Sequence, residues 1–176
     1  HVRSRRQRQM CIRDSIYVSG TLGDAALALK YGDAASEFLK QRYLKPEPRT
    51  DLGAALRGLA HGCADISDGL IADLDHICKA SHVGARLSWD DIPLSHEARQ
   101  TGLSKQDLRA IAATGGDDYE LVFTAPPSAQ KRLFTLSKDL DLMITDIGEV
   151  VEGGEVQAFD ANGLEIPFET RGYQHR

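Results

Sequence analysis

The chain of 176 residues is 41% hydrophobic and 27% charged, which is typical of one globular domain of ordinary size. No run of about 18 apolar residues occurs, so we expect no membrane-spanning helix. The net charge is −5, and residues 1–13 hold five arginines and no acid, so the remainder is strongly acidic and argues against general nucleic-acid binding. Three cysteines without a CxxC pair fit neither a zinc site nor a disulfide framework, which favours a reducing, cytoplasmic setting.

The basic N-terminal segment, residues 1–14, is the first feature in chain order. It has no aromatic residue and lacks the apolar core of a secretory signal. We expect a non-native or disordered leader, with the domain beginning at Ser15. A genuine disordered basic tail, which could bind nucleic acid, is the alternative.

A strand, a glycine loop and a helix are predicted next, over residues 16–19, 20–24 and 25–31. This order can hold phosphate. The loop lacks the lysine of a P-loop and the GxGxxG of a dinucleotide fold, so a tight connection is favoured. The elements expected after it are a helix over 34–43, an extended proline-containing connector over 45–49 and a helix over 52–61.

The segment Asp65-Ile66-Ser67-Asp68-Gly69-Leu70 is the most informative in the chain. Two carboxylates flank a hydroxyl where a short strand or turn, residues 64–67, gives way to a helix. If the turn between them is helical, Asp65 and Asp68 face one point, and their hard oxygens suit Mg²⁺ bound together with substrate phosphates. The amides that open the next helix would favour an anion. The alternative is that an aspartate or serine here only caps the helix.

The helix after this motif is indicated by one apolar stripe, and Gly84 is a candidate for its end. His76 lies at the edge of the stripe and is expected to be a surface or packing residue. Downstream, residues 85–89 predict a strand, and residues 103–113 a helix with Ser104 as N-cap. The apolar stripe consists of Leu70, Ile71, Leu74, Ile77 and Cys78.

A second acidic, glycine-flanked segment, Thr114-Gly115-Gly116-Asp117-Asp118, precedes a predicted strand over 119–124. Loops on a rigid scaffold often carry function, so a second acidic site strengthens the phosphate interpretation. A solvated turn is the alternative, because Gly and Asp are usual turn residues. Glu120 is expected on the strand surface or as a partner of Arg86.

The C-terminal third is predicted to interleave helix and strand. A helix over 128–137 is followed by strands over 144–151 and 156–159, a hairpin-type turn over 160–163 and a returning segment over 164–168. Helices interleaved with strands predict an α/β fold with α+β layering, in which a mixed sheet packs against helices.

Together, in this order, these motifs resemble thiamine-monophosphate kinase, and the resemblance runs from about Ser15 to the C-terminus. Each motif alone would indicate only the wider superfamily, which includes aminoimidazole-ribonucleotide synthetase and selenophosphate synthetase. The segments that carry the resemblance are residues 17–25, 42–49, 64–70 and 114–121 and the terminal Gly172-Tyr173-Gln174-His175.

The resemblance implies transfer of a phosphoryl group from ATP to thiamine monophosphate, with Mg²⁺, to give thiamine diphosphate and ADP. It implies that Asp65 and Asp68 bind Mg²⁺ and that Ser67 contacts an ATP phosphate. Asp117 matches an acidic substrate-binding position where the family often has Glu. Tyr173 matches an aromatic residue that contacts the substrate near the C-terminus.

The chain also departs from the family. The family enzyme is much longer, and its N-terminal domain, with further metal ligands, much of the nucleotide site and most of the dimer interface, has no counterpart here. We therefore expect residues 15–176 to be the C-terminal domain of a kinase that is a homodimer when whole, and expect this domain to be inactive alone. The alternatives are another ATP-dependent phosphotransferase or synthetase of the superfamily, or a non-catalytic phosphate-binding domain.

Overall fold

The computed structural model describes residues 10–168, which form one seven-stranded sheet with helices on both faces. The strand order is β2-β4-β1-β5-β3-β6-β7, and the sheet is mixed because β3 and β6 are parallel whereas the other neighbours are antiparallel. The predicted α+β fold with a mixed sheet is confirmed. The strands are β1 (Ser15–Ser19), β2 (Gly62–Asp65), β3 (Gly84–Ser88), β4 (Leu121–Ala125), β5 (Ile144–Val151), β6 (Val156–Phe159) and β7 (Glu165–Ile166).

Seven α-helices occur among the described residues, and most lie where the sequence predicts them. Helix α6 begins after Ser104, whose hydroxyl accepts the backbone N–H of Asp107 at 3.1 Å, so the predicted N-cap is confirmed. Helix α4 ends at Ser81 and its C-cap residue, His82, adopts a left-handed conformation, so Gly84, the predicted candidate for the helix end, instead begins the next strand. The helices are α1 (Asp24–Tyr31), α2 (Glu37–Leu44), α3 (Thr50–Ala55), α4 (Leu70–Ser81), α5 (His96–Arg99), α6 (Lys105–Thr114) and α7 (Gln130–Asp139).

The alternation of side chains along the strands divides the core between the two sheet faces. Ile16 and Val18 of β1 point into the larger cluster, which includes the apolar stripe of α4 and residues of α1, α2 and α6. Tyr17 points the other way and stacks on Phe123 of β4, with ring centroids 5.5 Å apart. Helices α3 and α7 cover that second face. His76 is exposed on α4, so the prediction of a surface histidine is confirmed.

Several predicted elements differ in extent, and two of these differences have a visible backbone cause. Helix α3 ends at Ala55 rather than at residue 61, and Gly58, with φ of +80°, lies in the turn that follows. Strand β4 starts at Leu121 rather than at Tyr119, because Tyr119 has φ of +50° and cannot continue the pleat. Tyr119 is 40% exposed.

The last residues of the predicted leader contact the sheet. Met10 is buried in the larger cluster, and the backbone N–H of Arg13 donates to the carbonyl of Val150 at 2.8 Å. The non-native origin of residues 1–14 stays a prediction. No helix within residues 10–168 is long and apolar enough to cross a membrane.

Candidate active site

The aspartate loop, residues 65–69, connects β2 to α4 and is held by a carboxylate from the helix itself. Asp73 Oδ2 accepts the backbone N–H groups of Ser67, Asp68 and Gly69 at 2.8, 3.0 and 3.3 Å. Burial raises the pKa of Asp73, although these three amides favour its charged form. The amides of residues 67–69 are therefore occupied by Asp73 and are not offered to a phosphate.

The start of α4 also decides against the capping alternative. The N-cap position is Gly69, with φ of +121°, and no side chain caps the helix. The segment between Asp65 and Asp68 is a bend and not a helical turn, so the turn that was expected to make both carboxylates face one point is not formed. Within residues 10–168, no hydrogen bond or ion pair engages the side chains of Asp65, Ser67 or Asp68, of which Asp65 is exposed and the other two are half-buried, on a backbone fixed by Asp73.

The second loop, residues 115–119, is joined to the aspartate loop through main-chain hydrogen bonds. The N–H of Asp117 donates to the Ser67 carbonyl and the N–H of Tyr119 to the Ile66 carbonyl, each at 2.9 Å. Gly116 lies so close to the Ser67 carbonyl that a Cβ atom there would overlap it. The structure therefore brings together the two acidic motifs that the sequence analysis treated separately.

Three carboxylates of these loops act electrostatically on the hydroxyl of Tyr119. Asp117 contributes most to the raised pKa of Tyr119, followed by partial burial, and Asp65 and Asp68 add smaller repulsive effects. The Tyr119 hydroxyl lies 3.5 Å from Asp117 Oδ1. Negative charge is thus concentrated at this end of β2 and β4, and a cation would relieve the repulsion.

The three carboxylates are not closed into a metal cage. Among the described residues, only Cys11, Asp14 and His61 place three metal-type ligand atoms within 4.8 Å of one another. In that group, His61 Nδ1 lies 2.7 Å from Asp14 Oδ2, at the opposite end of β2 from Asp65. Asp65, Asp68 and Asp117 offer an open set of hard oxygen ligands, which suits an ion that keeps waters and phosphate oxygens in its shell.

Behind the loops lies a buried ion-pair network that the sequence analysis missed. Glu120 is fully buried and accepts hydrogen bonds from Ser19 Oγ at 2.5 Å, from Arg42 Nη2 at 2.8 Å and from Arg49 Nε and Nη2 at 2.8 and 2.7 Å. Burial alone would raise the pKa of Glu120, but the bonds and charges from these partners outweigh burial and hold the pKa below its usual value. The network holds Glu120, the residue that follows Tyr119, in place.

The expectation for Glu120 is therefore wrong in both its forms. The side chain is neither on the strand surface nor paired with Arg86, whose guanidinium lies 4.3 Å from the centroid of the Phe159 ring. The prediction placed Glu120 outward because side chains alternate between the two faces of a strand. The left-handed conformation of Tyr119 interrupts this alternation just before Glu120. The sequence feature that could have indicated a buried partner for Glu120 is the pair of arginines around the proline-containing connector, Arg42 and Arg49, because arginine is well suited to buried ion pairs.

The glycine loop, residues 20–24, is a tight connection held by acids, as favoured by the sequence. Asp118 Oδ2 accepts the N–H of Gly23 at 2.8 Å. Asp24 accepts the hydroxyls of Thr21 and Ser95, both at 2.6 Å. The loop amide that Asp118 occupies is not free to bind a phosphate.

Asp118 should make the stability of the chain depend on pH. Burial raises the pKa of Asp118 from 3.8 to about 7, helped by the charge of Asp24 and opposed by the amide of Gly23. Between these values the folded chain keeps a proton that the unfolded chain has released. The free energy of unfolding should therefore fall as pH rises from about 4 to about 7.

The Asp118→Asn variant isolates this contribution, because the amide oxygen can still accept from Gly23. Urea unfolding at about pH 5 and about pH 7 should show a difference in unfolding free energy that is roughly 2 kcal/mol smaller in the variant than in the parent chain. An unchanged difference would mean that Asp118 is already ionised at pH 5.

Comparison with known proteins identifies the class to which this fold and site belong. Residues 14–161 match the family described as AIR synthase related protein, C-terminal domain, and the chain belongs to that family. Within the superfamily, the chain is similar to thiamine-monophosphate kinases. It is 42% identical over 151 residues to the thiamine-monophosphate kinase of Haemophilus influenzae, and the match covers 80% of this chain and 45% of that enzyme.

Solved structures lead to the same relatives. The thiamine-monophosphate kinase of Stenotrophomonas maltophilia K279a has a TM-score of 0.83 and 42% identity, covering 87% of this chain and 52% of that one. A structure described as AaThiL complexed with AMPPCP and TMP has a TM-score of 0.76 and 31% identity, covering 97% of this chain and 53% of that one. The resemblance drawn from the motifs is confirmed, and the chain spans about half the length of the curated relatives it matches.

Tyr173, the predicted substrate contact near the C-terminus, lies outside the described residues. Its role stays a prediction.

Proposed function

We propose that this chain forms the C-terminal half of a kinase that transfers a phosphoryl group from ATP to thiamine monophosphate. The observation that carries the proposal is the set of three carboxylates, Asp65, Asp68 and Asp117, on two loops that main-chain hydrogen bonds join. The similarity to thiamine-monophosphate kinases and to AaThiL complexed with AMPPCP and TMP supports the choice of substrates.

In this proposal, Asp65 and Asp68 hold Mg²⁺, for which their hard oxygens are suitable ligands. Mg²⁺, when bound, neutralises charge that develops on the transferred phosphoryl group. The Ser67 hydroxyl, between the two aspartates, contacts an ATP phosphate, and Asp117 faces the cationic acceptor. No covalent nucleophile is needed, because positioning and electrostatic stabilisation supply the catalysis.

The remaining metal ligands and most of the contacts to ATP would come from the half of the kinase that this chain does not match. Three carboxylates in an open arrangement leave most of the metal and nucleotide shell to other groups. We therefore expect the chain to be inactive alone, and expect the cytoplasmic whole enzyme to be a homodimer held mainly by that other half.

The test is an assay with both halves of the kinase present, supplied with ATP, Mg²⁺ and thiamine monophosphate. Thiamine diphosphate and ADP should form in equal amounts, and a chelator should abolish the reaction. ATP consumption that does not depend on thiamine monophosphate, or a product in which the acceptor gains no phosphate, would contradict the proposal and favour a synthetase of the same superfamily.

A further inference from the structure

A cluster of three metal-type ligands lies outside the candidate active site, at the start of β2. Cys11, Asp14 and His61 each place one ligand atom within 4.8 Å of the other two. His61 directly precedes β2 and Asp65 is the last residue of that strand, so the cluster is separated from the aspartate loop by the length of β2. No step of the proposed function uses these three side chains.

Main-chain hydrogen bonds fix the backbone on both sides of the cluster. The N–H of Asp14 donates to the Cys11 carbonyl at 3.0 Å, and Asp14 Oδ2 accepts the N–H of Cys11 at 3.2 Å, which closes a turn that carries two of the ligands. Bonds of 2.8 Å with Val150 attach this turn to β5, and the N–H of His61 donates to the Thr124 carbonyl of β4 at 2.8 Å. The sheet therefore brings the ligands together before an ion binds, which lowers the entropic cost of binding.

The side chains of the cluster combine a sheltered ligand with accessible ones. The Asp14 carboxylate is only 4% exposed, and its Oδ2 lies 2.7 Å from His61 Nδ1. The His61 ring is half-buried, and Cys11 is exposed. A buried carboxylate beside an exposed thiol gives an ion both a path of entry and a ligand that is shielded from water.

The donor atoms decide which ion suits the cluster. Thiolate sulfur, imidazole nitrogen and carboxylate oxygen are all ligands of Zn²⁺, whereas Mg²⁺ takes oxygen ligands. Zn²⁺ lies about 2.0–2.3 Å from each ligand atom, so its ligand atoms are about 3.5 Å apart, and rotation of the side chains is enough to close the cluster. Three protein ligands leave the fourth tetrahedral position to water or to a further ligand.

We propose that Cys11, Asp14 and His61 form a binding site for a zinc-type transition-metal ion whose fourth position is open to solvent. The inference goes beyond the proposed function, because this ion takes no part in phosphoryl transfer. It fastens the turn at Cys11 to the start of β2, since an ion that binds only the folded chain stabilises the fold. Cys11 belongs to the segment whose non-native origin stays a prediction, so the inference is made for this chain and not for its relatives.

The test begins with the metal-free, reduced chain, which is titrated with Zn²⁺ by calorimetry in the presence of excess Mg²⁺. One Zn²⁺ should bind per chain, and the melting temperature should rise with the Zn²⁺ concentration. Co²⁺, which takes the same types of ligand, should give the near-ultraviolet charge-transfer band of a cobalt–thiolate bond. This band reports directly on the sulfur ligand.

Single substitutions assign the binding to the cluster. Cys11→Ala should weaken Zn²⁺ binding at least about tenfold and abolish the cobalt–thiolate band, and it should fold normally because Cys11 is exposed. His61→Asn should weaken binding by at least the same factor. The matched controls are Cys63→Ser and His76→Asn, which remove a thiol and an imidazole outside the cluster and should leave binding unchanged. Thermal unfolding checks that each variant is folded.

Other results overturn the proposal. If no Zn²⁺ binds, or if Cys11→Ala binds it as tightly as the parent chain does, the cluster is only a hydrogen bond between His61 and Asp14. Displacement of Zn²⁺ by Mg²⁺ would show that oxygen ligands alone hold the ion. With both halves of the kinase present, Cys11→Ala should leave turnover unchanged, so the failure of this metal site and the failure of the proposed function are distinguishable.

Discussion

Replacing Glu120 with glutamine is expected to cost the chain at least about 3 kcal/mol of unfolding free energy, because removing one partner of a buried ion pair leaves uncompensated charge. Glu120 is fully buried, and the side chains of Arg42 and Arg49 are only 13% and 14% exposed. Glutamine keeps the shape and some of the hydrogen bonds but removes the charge that balances both guanidinium groups. Urea unfolding of the two proteins measures the difference.

Glu47 provides a matched control, since its Oε2 is also 2.7 Å from Arg49 but its side chain is 76% exposed. Glu47→Gln should change the unfolding free energy by no more than about 0.5 kcal/mol, because exposed ion pairs contribute little. If Glu120→Gln were no more destabilising than Glu47→Gln, the buried network would not be a major source of stability.

Replacing Asp68 with asparagine should lower kcat on the order of a hundredfold when both halves of the kinase are present, because a preorganised charge on the metal side of the reaction is lost. The backbone of the loop should keep its shape, because the amide of residue 68 donates to Asp73 and the side chain of Asp68 caps no helix. The measurements are steady-state rates over a range of Mg²⁺ concentrations, together with the unfolding free energy.

The control for Asp68→Asn is Asp139→Asn, which removes an exposed carboxylate at the end of α7 and should leave kcat unchanged. A loss of stability with near-normal turnover in Asp68→Asn would indicate a structural role. Partial rescue of the rate by higher Mg²⁺ would support a role in holding the metal.

The elements that local pattern determines could be predicted from the sequence. The apolar stripe of α4 and the bounds of β5 and β6 follow from periodicity alone, and the structure shows them where expected. The N-cap of α6 was also predictable, because Ser104 accepts a hydrogen bond from Asp107, only three residues further along the chain. Sheet order, in contrast, depends on pairing between distant segments.

The buried charges were not predictable because their partners are far apart in the chain. Ser19 and Glu120 are separated by 101 residues, and Arg42 and Glu120 by 78. In a pattern of alternating strand residues, Glu120 is predicted to lie on the surface. The left-handed conformation of Tyr119, which directs Glu120 inward, is not evident from that pattern. The aspartates were predictable as a pair, but their proximity to Asp117 depends on main-chain bonds between two loops that no motif encodes.

The hydrogen bonds between the two loops have a consequence for how such a site can change during evolution. Ser67 and Ile66 accept through carbonyl oxygens, and Asp117 and Tyr119 donate through backbone amides, so the frame does not depend on the identity of the side chains it presents. Substitution at position 117, for example between aspartate and glutamate, can alter reach and preference while the scaffold persists. Selection can therefore tune the acidic side chains separately from Asp73 and Glu120, which preserve the shape of the loops.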